Sequence, residues 1–156
     1  MNLVAAVLAA VLSVFNLSPV HQAPHATVLF GGDMMFDRSV RTTIEKNGGD
    51  FVFFCMDTTL AAADAVVANL EGPITEAASR SVGSKVGSRN NFIFTFPRTT
   101  AQLLSAHHIR IVNLGNNHIL NFGMSGLALT EQSLSDAGVS YFGQAGGESL
   151  AYQTRI

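Results

Sequence analysis

Three short stretches hold most of the side chains able to do chemistry. They are Gly31-Gly32-Asp33-Met34-Met35-Phe36-Asp37-Arg38, Asn69-Leu70-Glu71-Gly72-Pro73 and Gly115-Asn116-Asn117-His118-Ile119-Leu120-Asn121-Phe122-Gly123. Asp33, Glu71, Asn117 and His118 together form a hard, mixed oxygen and nitrogen donor set. Such a set suits Mn²⁺, Mg²⁺, Fe²⁺ or Zn²⁺ in five- or six-fold geometry and is unlike a thiolate site. If two ions bind, one carboxylate must bridge them, and Glu71 is the natural candidate. A metal pair of that kind generates hydroxide near neutral pH and stabilises a developing oxyanion. Glycines beside Asp33 and Asn116 allow close backbone approach to an ion or anion. Each stretch taken alone also has an ordinary reading. Asp after Gly-Gly is a common turn residue, and Asn-Asn can take left-handed positions or cap a helix.

What distinguishes the three is the element each one follows. Ala26–Gly31 (ATVLFG) is a continuous apolar run, as for a strand buried on both faces. Phe36, Val40 and Ile44 recur every four residues and predict a helix over Phe36–Asn47, stopped by Gly48-Gly49. Asp57 is placed to cap a short helix Thr58–Ala63, and Ala65–Asn69 reads as a second buried strand. Residues 75–90 form a Ser-, Gly- and Arg-rich surface excursion, and Phe92, Phe94 and Phe96 alternate along an extended segment before Pro97. Thr99-x-x-Gln102 is a capping-box pattern opening a helix through about His107. Ile109–Leu114 is a third strand, Ser125–Ala137 a helix with Gly138 at C′, and Val139–Phe142 a fourth strand. Alternating strands and helices predict a largely parallel α/β sheet with right-handed crossovers. All carboxyl ends of a parallel sheet lie along one edge, so this topology brings Asp33, Glu71, Asn117 and His118 together.

Composition narrows the setting. The chain has 156 residues, 47% of them hydrophobic and 13% charged, with Lys+Arg 9 against Asp+Glu 11. A net charge of −2 argues against non-specific nucleic-acid binding, so no nucleic-acid partner is expected. The single cysteine, Cys55, excludes an internal disulfide framework, and its apolar neighbours predict a buried thiol without chemistry. No charged residue precedes Asp33, and Leu3–Phe15 is an almost unbroken run of Ala, Val and Leu. Thirteen to fifteen helical residues span roughly 20–23 Å, which is short of a bilayer core and fits the apolar region of a secretory signal. The expected organisation is a signal or anchor segment with its linker over 1–25 and a folded domain over 26–156. The alternative for the first segment is a buried core helix.

The three motifs GGDMMFDR, ANLEGPIT and NLGNNHILNFG, in this order and on these strands, resemble the CapA-type bacterial capsule-synthesis proteins of poly-γ-glutamate synthesis. That family is similar to the calcineurin-like metallophosphoesterases, and the resemblance runs from about Thr27 to Gly143. It implies a layered α/β metallophosphatase-like fold with a dinuclear divalent-metal site at the strand ends. Asp33 matches the family's first metal carboxylate. Asn69 and Glu71 match its Asn-Leu-Glu motif, with Glu71 bridging. Asn117 matches a metal-binding amide, and His118 the adjacent histidine that acts as an acid toward a leaving group. Asp37 and Arg38 match a frequent Asp-Arg pair, whose guanidinium could hold a carboxylate or phosphate in its planar fork.

Two departures matter. Where the family usually has Asp three residues after the histidine, this chain has Asn121, whose carbonyl could accept an imidazole N–H but brings no charge. The His-x-His pair that family members bring from later strands has no counterpart here. His107-His108 falls at a helix end on the other side of the sheet and reads as surface or core packing. The expectation is therefore the N-terminal part of a larger domain, binding one metal weakly or none by itself. The leading function is an exported protein of capsule polymer biosynthesis or export, acting on an amide or a phosphoester. Its partners would be an anionic polymer or small-molecule substrate and a membrane-bound synthase. The alternatives are a non-catalytic component that contacts polymer or synthase, and a soluble phosphoesterase of nucleotides.

Overall fold

The computed structural model describes residues 25–143. The apolar Leu3–Phe15 run, and the signal or anchor reading attached to it, lie outside the described residues. So does the end of the expected 26–156 domain. Among the described residues no helix is long and apolar enough to cross a membrane.

Four parallel strands form one sheet: β1 (Val28–Met34), β2 (Ala65–Leu70), β3 (Ile111–Asn113) and β4 (Ser140–Phe142), side by side in chain order. Helices α1 (Arg38–Asn47) and α2 (Asp57–Ala62) connect β1 to β2. Helix α3 (Thr99–Ala106) precedes β3, and α4 (Gly123–Asp136) connects β3 to β4. This is the α/β architecture that the alternating pattern predicts. Right-handed crossovers between strands added in one direction put every connection on the same face of the sheet. The core forms on that face. Val66 and Leu70 of β2, Val112 of β3 and Tyr141 of β4 pack there with Leu60, Leu104, Leu127, Leu134, Ile74 and Phe96.

Strand alternation then turns Ala65, Val67 and Asn69 to the opposite face, where they are only half-buried. Here β1 departs from expectation. It is an edge strand among the described residues, and it is open to solvent, with Val28 47% and Phe30 77% exposed. One-sided crossovers leave its second face uncovered, whereas buried parallel strands need cover on both.

Local chemistry moves several element starts. Asp37, with an extended backbone, caps α1, so Phe36 lies before the helix and packs in the core. Met56 already has helical geometry, so α2 begins at Asp57. Its carboxylate does not cap the helix and is bonded to His107 Nδ1 instead. Likewise Arg98 turns helically before Thr99, Thr100 N–H donates to the Pro97 carbonyl, and no capping box forms. His107 is buried and stacks on Phe53 at 4.5 Å, a packing role as expected. Cys55 is exposed, not buried: it sits in the turn between a 3₁₀ segment at Gly49–Val52 and α2, beside exposed Phe54 and Met56. Gly138 has φ +68 just beyond α4, as the C′ position requires.

Candidate functional site

The site begins with an irregularity in β1. Phe30 pairs with Val67, but Asp33 pairs with Asn69, so three steps along β1 match two along β2. The extra residue makes a bulge at Gly31-Gly32. Because side chains alternate between faces, a one-residue slip reverses which one points where. Without the bulge Gly32 would stand opposite Asn69; with it, Asp33 does. The packing reason for glycine is direct at Gly31, where an added Cβ would lie 3.1 Å from Ala68 Cβ.

Asn69 in turn pairs with Asn113 of β3, so Asp33, Asn69 and Asn113 form one row across three strands at their carboxyl ends. The row lies on the face away from the core, and hydrogen bonds run along it. Asn69 Nδ2 donates to Asp33 Oδ1 at 2.8 Å and also to Glu71 Oε2. Asn69 Oδ1 accepts from Asn113 Nδ2 at 3.0 Å and Asn116 Nδ2 at 3.1 Å. The amide thus uses both donors and both lone pairs. Its oxygen, the atom a cation would take, is turned toward the two asparagines, while its nitrogen holds the two carboxylates together. Asn116 also donates to the Leu70 carbonyl at 2.8 Å and accepts from His118 N–H at 3.0 Å, which fixes the loop after β3. Gly143 closes the far side: it has φ +76, and an added Cβ would lie 2.3 Å from Asn113 Oδ1.

His118 enters from that loop. Its Nε2 lies 3.7 Å from Glu71 Oε1, with side-chain exposures of 15% and 16%. Its Nδ1 is 3.2 Å from Asn121 Nδ2, which also lies 3.2 Å from the Phe92 carbonyl. A carbonyl can only accept, so the Asn121 nitrogen must face it as a donor, and Nδ1 accepts the second N–H. The polarity is opposite to that expected from sequence. Asn121 selects the tautomer that carries its proton on Nε2, directed at Glu71.

The remaining expected residues divide. Asn117 is exposed and its side chain makes no hydrogen bond among the described residues, so it stands beside the cluster but not in it. Arg38 is one aromatic ring away: Phe94 lies 4.6 Å from its guanidinium carbon and 4.3 Å from the His118 ring. Asp37, by contrast, is fully buried. It accepts from Arg38 N, Arg41 Nε, Ser79 Oγ and Thr95 N, and is structural. Sequence reasoning missed Asn113, Asn116 and Phe94. The signal for Asn113 was present: β2 and β3 both end in Asn-Leu, at Asn69-Leu70 and Asn113-Leu114, on otherwise apolar strands.

Two carboxylates converging on one donor suit a single hard divalent cation. Among the described residues, however, no group of three or more His, Cys, Asp or Glu is arranged to hold a metal. The residues therefore fit part of a metal site and do not complete a two-ion centre.

Comparison with known proteins agrees with the motifs. A family described as "Bacterial capsule synthesis protein PGA_cap" matches residues 27–156. The chain is similar to the PGA biosynthesis protein CapA of Bacillus subtilis (strain 168), 25% identical over 130 residues, covering 80% of this chain and 33% of that protein. It is also similar to the capsule biosynthesis protein CapA of Bacillus anthracis, 25% identical over 117 residues, covering 75% of this chain and 28% of that one. The chain thus spans about a third of the length of the curated relatives it matches.

Proposed function

From the premise that the chain belongs to the bacterial capsule synthesis protein family PGA_cap, we propose that it works in making or exporting an extracellular polyanion, poly-γ-glutamate, with a divalent cation held at the strand ends. The supporting observation is that Asp33 and Glu71 converge on one amide nitrogen at the carboxyl edge of a parallel sheet. When bound, Mn²⁺, Mg²⁺, Fe²⁺ or Zn²⁺ supplies a Lewis acid for a carbonyl or phosphoryl oxygen. Asp33 and Glu71 hold the ion, and Asn69 orients both carboxylates. Asn117, exposed in the loop after β3 next to His118, is a further oxygen donor. His118, its Nε2–H set by the Asn121 contact, donates a hydrogen bond to the atom of an amide or phosphoester on which negative charge develops, and full proton transfer to a leaving atom needs the doubly protonated ring. The apolar Leu3–Phe15 run directs the protein out of the cytoplasm, as a cleaved signal or a membrane anchor near a synthase.

A second reading is supported by the incomplete ligand set among the described residues. In it the chain contacts polymer or synthase without turnover. Calorimetric titration with Mn²⁺, beside product release from a γ-glutamyl peptide and from a generic phosphodiester, separates the two. The metal reading expects one bound ion in the parent, lost in the Asp33→Asn, Glu71→Gln double variant, and metal-dependent release from one substrate. No ion and no release in the parent would overturn it in favour of the second.

A further inference from the structure

Beside the strand-end cluster, on the far side of Phe94, lies a hollow of about 410 Å³ between α1 and the excursion after β2. Arg38, Ser39, Thr42, Ser81, Ser84 and Asn91 line it together with apolar Val82 and Val86. The Thr42, Ser81 and Ser84 hydroxyls and the Asn91 amide already bond to neighbouring groups of the wall. We propose that this hollow is a carboxylate subsite, which seats the side-chain carboxylates of an extended polycarboxylate while a neighbouring linkage lies at Glu71 and His118. The inference deepens the polymer reading above and rests on it.

Arg38 is held in an unusual way. Its φ is +52, a left-handed conformation that L side chains rarely adopt. Its N–H is taken by Asp37 Oδ1 at 3.0 Å and Ser81 Oγ at 3.3 Å, which keeps the backbone there. Nε donates to the Asn91 carbonyl at 2.9 Å, joined by Nη2, and the guanidinium lies over Phe94. The cation is therefore fixed along one edge and against two rings, Phe94 and Phe92 (5.4 Å), and among the described residues Nη1 has no hydrogen-bond partner. Backbone strain of this kind persists where surroundings over-determine it, often at ligand clamps.

No carboxylate among the described residues forms an ion pair with Arg38, although Asp37 is its chain neighbour. Asp37 is already saturated by four donors. A half-buried guanidinium held by a carbonyl and two aromatic rings has no counter-charge among the described residues, and a guanidinium nitrogen matches a carboxylate oxygen. Ser39 Oγ, exposed in the first turn of α1, is a second group without a partner among the described residues.

The surroundings carry the same sign. Although the chain has a net charge of −2, residues 77–97 contain Arg80, Lys85 and Arg89 and no Asp or Glu. Arg80, Lys85 and Arg89 are exposed on the excursion that walls the hollow. Arg80 also lies over Phe122, 5.7 Å from its ring centroid, next to Asn121. These cations surround the hollow with positive charge, which draws a polyanion toward it. A carboxylate fits better than a phosphate. Among the described residues the hollow offers one guanidinium nitrogen and the Ser39 hydroxyl as unengaged donors, and the Arg38 N–H at the start of α1 is already occupied, so a dianion would stay under-neutralised.

The test measures binding of a fluorescent γ-linked oligoglutamate to the full chain in EDTA, so that no metal contributes. The parent binds, less tightly as salt rises. Arg38→Ala weakens binding at least about tenfold, and Arg38→Lys, which keeps charge without the fork, weakens it less. Ser39→Asp plants a carboxylate in the hollow at a helix start where acidic residues are tolerated. It should abolish binding with the thermal midpoint unchanged, and so tests the hollow even if Arg38→Ala misfolds. Arg98→Ala, whose partner is Glu76 at 3.3 Å, leaves binding as in the parent. Binding unaffected by Arg38→Lys and Ser39→Asp overturns the subsite and leaves the polymer reading intact. Preference for polyphosphate over oligoglutamate, or equal binding of a neutral oligoglutamine, overturns the carboxylate assignment. No binding by the parent overturns the subsite and the choice of polymer, while the metal reading is decided separately by its own titration.

Discussion

Asp33 and Asp37 stand four residues apart and have opposite fates. Asp37 is buried at the start of α1 and receives donors from Arg38, Arg41, Ser79 and Thr95. Asp33 sits exposed on β1 and receives one, from Asn69. A carboxylate buried under four donors from three segments ties a fold together and is closed to a ligand. One with free lone pairs at a strand end contributes little to folding and remains open to a cation. The lesson is that donor count, more than residue type, separates a structural acid from a chemical one.

The sharpest way to break this comparison is to remove each acid. Asp37→Ala leaves Arg41 and the Thr95 N–H without their acceptor in the interior and should lower unfolding stability by about 3–5 kcal/mol in urea denaturation. Asp33→Ala should change it by less than about 0.5 kcal/mol. Equal losses would show that both acids are structural. Next in size, Asn69→Asp sets a third carboxylate between Asp33 and Glu71 and removes the only shared donor. It should cost about 1–3 kcal/mol, and Mn²⁺ should raise its thermal midpoint more than the parent's. No differential rescue would mean that the three oxygens do not face a common ion.

Glycines sharpen the boundary of the row. Gly143→Ala meets Asn113 Oδ1 at φ +76 and should destabilise by about 1–3 kcal/mol. Gly32→Ala has nothing within 4 Å and should shift stability by no more than about 0.5 kcal/mol. A large loss at Gly32 would show that the bulge needs both glycines. The smallest effect concerns Cys55. Being exposed, it should react with a maleimide in the native protein at the rate of a small thiol, without loss of fold; protection until unfolding would contradict its placement.

Much of the architecture was legible because it depends on local pattern. Apolar runs marked the four strands, three of them abutting a glycine, and Gly138 marked the end of α4. Legibility failed where a tertiary partner competed with a local rule. Asp57 looked like a cap, but His107, fifty residues away, takes its carboxylate. Thr99-x-x-Gln102 looked like a capping box, but the chain at Pro97-Arg98 turns into the helix earlier. β1 looked doubly buried because its composition is apolar, yet burial depends on which strands and helices lie beside it.

The candidate site divides along the same line. Sequence by itself determined the cast: carboxylates, amides and a histidine placed at the ends of parallel strands, since crossover handedness leaves one edge for them. It could not decide the bulge that turns Asp33 toward Asn69, or the full occupation of the Asn69 amide. Nor could it decide the Asn121 contact that sets the His118 proton, or the four donors on Asp37 beside an Arg38 that has no ion pair among the described residues. Each of these is set by atoms from distant segments meeting at about 3 Å. Hydrogen-bond capacity is a property of the residue, but which partner fills it is a property of the fold.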